Sequence, residues 1–193
     1  MPPRQVKFAP GEYYHIYNRG SGRHPIFREQ ANYQFLLLRL KKYSVELSVA
    51  VVAYCLMPNH YHFLLRQDAL DAAGLVAQRV FNSYVKMFNK RYDRTGTLFE
   101  GRFKAIHVDR EGYLLHLCRY IHANPVKDGL VPRLEDWPYS NYHEWIGARR
   151  GSLVDMAFVT ANFPQPDLYR QFVQDYLDGR AKMPKEIKPY LLR

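Results

Sequence analysis

The chain is poor in cysteine: its 193 residues include only Cys55 and Cys118. Two thiols in apolar surroundings exclude a disulfide scaffold and read as reduced, buried side chains. A long hydrophobic run is also lacking. The longest, Leu47 to Met57, contains Ser48 and falls well short of the roughly 20 apolar residues a spanning helix needs. The opening Met1-Pro-Pro-Arg-Gln has no apolar core of the secretory kind, so a soluble, cytoplasmic protein is the expectation. Acidic residues are scarce, 18 Asp and Glu against 28 Lys and Arg, and the net charge is +10. Hydrophobic residues at 47% and charged residues at 24% exclude wholesale disorder. A chain of this length buries about 70% of its unfolded surface, so folding requires neither metal nor crosslink.

What the chain does have is positive charge among aromatics. Aromatic side chains make up 15% of it, including 16 tyrosines. A basic, aromatic-rich chain points to nucleic acid before membrane, because no single segment gathers the charge onto one strongly amphipathic helix. The cations are uneven. From residue 79 to 110 lie Arg79, Lys86, Lys90, Arg91, Arg94, Arg102, Lys104 and Arg110, against Asp93, Glu100 and Asp109. Tyr92, Phe99 and Phe103 interleave with them. That mixture suits backbone phosphate contact together with base stacking; a solvated helix face followed by a basic loop is the plainer alternative.

Periodicity orders the elements. Tyr13 to Asn18 reads as a strand ended by Gly20-Ser-Gly22. Phe27 to Lys42 reads as a helix with a basic last turn. Val45 to Leu56 reads as a buried strand, and Pro58-Asn59 turns it into a second strand, His60 to Arg66. Leu70 to Tyr92 reads as a long helix with Val76, Val80, Phe81, Tyr84 and Phe88 on its apolar side. Lys104 to Val108 reads as a fourth strand, and Glu111 to Lys127 as a helix stopped near Pro125. The order β-α-β-β-α-β-α predicts an α+β fold: a ferredoxin-like antiparallel sheet with helices packed on one face. A short helix, Asp167 to Leu177, reads as a C-terminal appendage, so the body is expected to span residues 1–146 and an extension of unknown role residues 147–193.

Two constellations could carry chemistry. His60 and His62, two apart on a strand, point the same way and can converge on one ion; a chance pair of histidines is the alternative. His116, Tyr120 and Asn124 recur every four residues on a helix, a polar stripe beside the apolar Leu114, Leu117 and Ile121. A phenol can attack phosphorus and an amide oxygen can ligate a hard cation one turn away; a solvated helix face is the alternative. A phenol's ordinary pKa is about 10, so it needs help at neutral pH; His116, one turn before Tyr120, is a candidate helper, with packing or DNA contact as its alternative role.

Met57-Pro-Asn-His-Tyr-His-Phe-Leu-Leu65 resembles the His-hydrophobic-His signature of single-tyrosine HUH transposases. Tyr120-Ile-His-Ala-Asn-Pro-Val-Lys127, with Gly129-Leu-Val131 and Asp136-Trp-Pro-Tyr-Ser140, resembles the closing segment of the REP-associated tyrosine transposases. Tyr14-His-Ile-Tyr-Asn-Arg-Gly20 and Gly96-Thr-Leu-Phe-Glu-Gly-Arg-Phe-Lys104 are similar to blocks of the same group. The resemblance spans residues 11 to 146. It implies a ferredoxin-like enzyme that cuts and rejoins single-stranded hairpin DNA through a 5′-phosphotyrosine, with Tyr120 as nucleophile and His60, His62 and Asn124 as ligands of Mg²⁺ or Mn²⁺. Tyr61 departs mildly from the pattern, being aromatic where the family is aliphatic. The implied partner is single-stranded or hairpin DNA, with no membrane partner, in the cytoplasm and associated with the nucleoid. Monomer and homodimer both stay open. Arg79, Lys86, Lys90, Arg91, Arg94, Arg102 and Lys104 are the candidate DNA contacts. Two competing functions are a non-cleaving nucleic-acid binder and a metal-dependent phosphoesterase that uses water as nucleophile.

Overall fold

A computed structural model describes residues 6–70, 72–109, 111–185 and 187. The N-terminal Met1–Gln5 segment and Arg110 of the basic stretch lie outside these. Four strands, β1 (Tyr13–Arg19), β2 (Val49–Met57), β3 (His60–Gln67) and β4 (Lys104–Val108), form one antiparallel sheet in the order β2-β3-β1-β4. Helix α1 (Gln30–Glu46) joins β1 to β2, and α2 (Ala72–Arg91) joins β3 to β4. This is the ferredoxin-like βαββαβ arrangement that the order of elements predicted. Helix α3 (Glu111–Lys127) follows β4; then come the short α4 (Tyr142–Trp145), α5 (Met156–Asn162) and α6 (Pro166–Leu177).

Strand alternation divides the helices between the faces. Tyr61 and His62 are neighbours on β3 and so point to opposite sides. Tyr61 stacks on Phe81 of α2, with ring centroids 4.0 Å apart. His62 meets Tyr120 of α3 edge-on at 5.5 Å. The expected packing of helices on one face thus holds for α1 and α2, while α3 covers the opposite face. The core lies on both sides of the sheet, which is why β2 and β3 are buried along nearly their whole length instead of alternating in and out.

Several element ends shift by a few residues from the sequence reading, and three features have a physical explanation. Val45 belongs to α1, not to β2; it is exposed on the helix surface, and Ser48, at φ 51°, makes the turn before the strand. Helix α3 runs through Pro125 to Lys127. Proline removes the N–H that would reach the carbonyl of Ile121. The Asn124 side-chain amide lies over that gap, donating to Tyr120 O at 2.7 Å and, more weakly, to Ile121 O at 3.4 Å. The third feature is the stretch after α3, which packs against the sheet and α3. Tyr139 O accepts from Leu56 N at 2.9 Å, and Asp155 N donates to Val51 O at 2.9 Å. The free edge of β2 is thereby covered. A bulge lies between Val51 and Ala53, and the Val52 carbonyl accepts from Asn141 Nδ2 at 2.8 Å and Trp145 Nε1 at 3.1 Å. Tyr169 of α6 is fully buried against α3, with its hydroxyl 2.5 Å from His122 Nδ1. Cys55 and Cys118 are both buried free thiols. Among the described residues, no helix is long and apolar enough to cross a membrane.

Candidate active site

The β2–β3 turn, Met57 to His60, delivers the two histidines to the α3 side of the sheet. Cross-strand pairing puts His60 opposite Arg19 and Met57, and His62 opposite Tyr17 and Cys55. Directly paired residues share a face, so Arg19, Tyr17, His60 and His62 line one surface. The rings of His60 and His62 sit 5.2 Å apart, close to perpendicular. Both are buried. Their second nitrogens are held: His60 Nδ1 lies 2.7 Å from Asn59 Oδ1, and His62 Nδ1 lies 2.9 Å from His15 Nε2. Asn59 Oδ1 can only accept, so His60 donates from Nδ1 and its Nε2 carries a lone pair.

Burial depresses the basicity of both imidazoles, strongly for His62, where the neighbouring His15 and His60 add to the effect. For His60 the nearby carboxylate of Asp128 and contact with the Asn124 amide partly oppose the desolvation. Both rings are therefore neutral at pH 7, the state in which imidazole binds a cation.

Helix α3 brings up the other two groups. Tyr120 is half-buried with its ring against His62. Asn124 is buried, one turn further along. Because its Nδ2 is committed to the Tyr120 carbonyl, its Oδ1 is the end that faces His60. The structure thus assembles His60, His62, Tyr120 and Asn124 from two elements into one cluster, although at least 58 positions of chain (62 to 120) separate the strand histidines from the helix pair.

The donor set fits a divalent cation. His62 Nε2 is buried without a hydrogen-bond partner, and such an atom has a cost unless something meets it. Among the described residues, no three His, Cys, Asp or Glu side chains converge, so the Asn124 amide is the third available protein donor. Two imidazoles and an amide oxygen are compatible with Mg²⁺ or Mn²⁺.

His116 does not join this cluster. Its Nδ1 accepts from Arg119 Nη2 at 2.9 Å, and its ring lies against Phe172 of α6. Burial and the Arg119 charge lower its pKa. It belongs to the α3–α6 interface, where Arg119 stacks on Phe172 and Tyr176. Two groups went unnoticed in the sequence. His15 was visible only as part of a family-like block. Asp128, four residues after Asn124, extends the polar stripe of α3 past its end.

The proposed DNA contacts do not form one patch. Arg79 and Lys86 lie on α2, across the sheet from the cluster, and line a groove of about 520 Å³ with Arg39, Phe35 and Tyr43 of α1. Arg79 also approaches Glu46 at 3.7 Å. Lys90 is exposed on the same helix. Arg91 is paired with Glu29, and Arg94 lies over the Phe88 ring at 5.7 Å. Arg102 stands at the rim of a cavity of about 720 Å³ walled by Phe81, Phe99 and Phe103. Lys104 is paired with Tyr17 across β1–β4 and sits over its ring at 5.9 Å, on the face that carries His62.

The architecture defines a class: a ferredoxin-like α+β sheet whose inner strand presents two histidines to a helix bearing a tyrosine and an amide. The family model described as "Transposase IS200 like" matches residues 10–124, and the chain belongs to that family. A Haemophilus influenzae protein provisionally named a REP-associated tyrosine transposase is 32% identical over 108 residues. The match covers 50% of this chain and 61% of that relative, so the chain spans less than two thirds of its length. A solved structure described as a REP-associated tyrosine transposase bound to a REP hairpin superposes with a TM-score of 0.61 at 19% identity, covering 80% of this chain and 97% of that one. A solved structure from Deinococcus radiodurans, provisionally described as a transposase, gives a TM-score of 0.42 at 15% identity, covering 63% of this chain and 95% of that one.

Proposed function

We propose that the protein cleaves and rejoins single-stranded hairpin DNA by transesterification on Tyr120. The observation that carries this reading is the meeting of Tyr120 with His62 and Asn124 where helix α3 packs across strand β3. Membership of the IS200-like transposase family and the hairpin bound by the structural relative support the choice of substrate.

In the proposed step, Tyr120 Oη attacks the phosphorus of a phosphodiester in line. The P–O3′ bond breaks, and the products are a 5′-phosphotyrosine and a strand end with a 3′-hydroxyl. The phenol proton leaves as the bond forms, and the departing 3′-oxygen takes one up. Because one ester replaces another, a second 3′-hydroxyl can reverse the step and join strands without an external energy source. A divalent cation, Mg²⁺ or Mn²⁺, bound by His60, His62 and Asn124 would neutralise the non-bridging oxygens that otherwise repel the nucleophile.

The chain's own residues prepare the rest. Burial keeps both imidazoles neutral. The hydrogen bond from Asn124 Nδ2 to the Tyr120 carbonyl fixes the amide relative to the nucleophile's own backbone. Lys104, on the same face, would meet the phosphate backbone, and the α1–α2 groove with Arg39, Arg79 and Lys86 would hold DNA on the far side of the sheet. Localisation in the cytoplasm, with the nucleoid, follows from this substrate.

The test is a denaturing gel after incubation with a labelled single-stranded hairpin substrate and Mg²⁺ or Mn²⁺. Transesterification gives a protein-linked DNA band. Cut DNA without such a band would identify a water-using phosphoesterase, and uncut DNA with retained binding would identify a non-cleaving binder.

A further inference from the structure

We propose that His15 is the positioning residue that sets the tautomer of His62 and so determines whether the strand histidines can receive a cation. The inference rests on the cation reading given above, but its first readout is independent of that reading.

His15 and His62 lie on adjacent strands, one pairing step apart. His15 pairs with Leu64 and Tyr17 with His62, so both histidines project from the same face. Their rings are nearly parallel, with centroids 5.2 Å apart and an interplanar angle of 18°. The nitrogens His15 Nε2 and His62 Nδ1 are 2.9 Å apart, and both residues are fully buried. At that distance one nitrogen must hold the proton and the other must accept it.

The two possibilities have different consequences on the far side of His62. If His62 Nδ1 holds the proton, His62 Nε2 is a bare lone pair. If His15 Nε2 holds it, neutral His62 is protonated at Nε2. That N–H would be buried with no acceptor, because His62 Nε2 has no hydrogen-bond partner. A stranded buried N–H is the rarer and costlier of the two defects. The packing therefore favours His62 as donor and His15 as acceptor, which leaves a lone pair on Nε2 of a ring that lies beside Tyr120 and His60. Asn59 does the same for His60. The two strand histidines reach the same state by different means: one from its neighbour in the turn, the other from across the sheet. Partners of this outer kind fix ring orientation and ligand basicity, and their loss commonly weakens metal affinity by 10- to 100-fold.

The experiment uses the full chain labelled with ¹⁵N-histidine. Long-range proton–nitrogen correlation spectra report which ring nitrogen of His62 is protonated in the metal-free protein. Wild type is expected to show His62 protonated at Nδ1. His15→Ala is expected to lose that pure state, and His15→Gln, whose side-chain oxygen stands where Nε2 stood, is expected to restore it. Mn²⁺ titration should then show affinity about 10- to 100-fold weaker in His15→Ala, recovered in His15→Gln, with hairpin affinity unchanged in metal-free buffer. Thermal melts identify any variant that fails to fold, in which case His15→Gln against wild type carries the comparison. Protonation of wild-type His62 at Nε2, or a His62 tautomer indifferent to His15→Ala, overturns the proposal. Wild type that shows the expected tautomer yet binds no Mn²⁺ would instead remove the cation reading and, with it, the function assigned to His15.

Discussion

Acid should loosen the C-terminal clamp on α3 through His122, and the structure gives the size of the effect. His122 is fully buried two residues after Tyr120. Its Nε2 donates to Asn141 Oδ1 at 2.8 Å, and its Nδ1 faces the Tyr169 hydroxyl at 2.5 Å. The neutral ring satisfies both partners. A second proton would add charge in an apolar enclosure, and burial pushes the pKa from 6.5 down to about 4. The unfolded chain keeps the ordinary value. Between pH 6.5 and 4 the unfolded state therefore binds a proton that the folded state refuses, so stability falls as pH falls. The contribution is fully present above pH 6.5 and is lost on acidification toward pH 4, where it levels off. At about 1.4 kcal/mol per unit, the loss is about 3 kcal/mol. Urea denaturation midpoints of wild type and His122→Gln, measured from pH 8 to 4, isolate it, because the carboxylate titrations common to both cancel. Wild type should lose about 3 kcal/mol more than the variant over that span. Equal losses would refute the reasoning, since they would mean that the ring is not held neutral.

Asn141→Ala strands the Tyr54 N–H and the His122 Nε2–H inside the protein; a loss of about 3 kcal/mol in chemical denaturation is expected, with two buried donors unpaired at 1–3 kcal/mol each. Replacing Lys86 and Lys90 together should lower the slope of log affinity against log salt by up to about two units. An unchanged slope would move the DNA off the α2 face and toward Lys104 and Arg19. Asn124→Ala removes the amide oxygen and also the hydrogen bond to the Tyr120 carbonyl. It should weaken Mn²⁺ binding, read by titration, while hairpin affinity in metal-free buffer stays within a few-fold.

The sequence made the elements legible where periodicity and punctuation agree. Strand β4 and helix α3 begin and end where alternation and helical spacing place them. It misled where two local signals compete. Val45 is β-branched and lies just before the Leu47–Met57 run, yet it is an exposed residue in the last turn of α1, which ends at Glu46. Pro125 is a stop signal inside a helix that spacing nonetheless carries to Lys127, and the Asn124 side chain donates to the Tyr120 carbonyl beside the gap it leaves. That the halves of the four-residue cluster form one site was implied only by the family resemblance, but each half was visible as a short-range pattern, two apart on a strand and four apart on a helix. His15 was not, because its role depends on the β1–β3 register, which joins residues 47 apart in the chain. For the same reason the sequence grouped seven cations into one surface that the sheet divides between two faces. His116 shows the limit of helical spacing: it shares the stripe of Tyr120 and Asn124 but turns to Arg119 and α6.

The claim on which everything else depends is that Tyr120, out of 16 tyrosines, forms the covalent link to DNA. Mass spectrometry of the adduct decides it. Wild-type protein is incubated with a single-stranded hairpin substrate and Mn²⁺, digested with protease and nuclease, and searched for the peptide carrying a nucleotide on tyrosine. The account predicts that the modification sits on Tyr120, and that Tyr120→Phe, which removes one oxygen and keeps the ring, gives no adduct while still binding the hairpin. A nucleotide on any other tyrosine, or an adduct at wild-type yield from Tyr120→Phe, would contradict it.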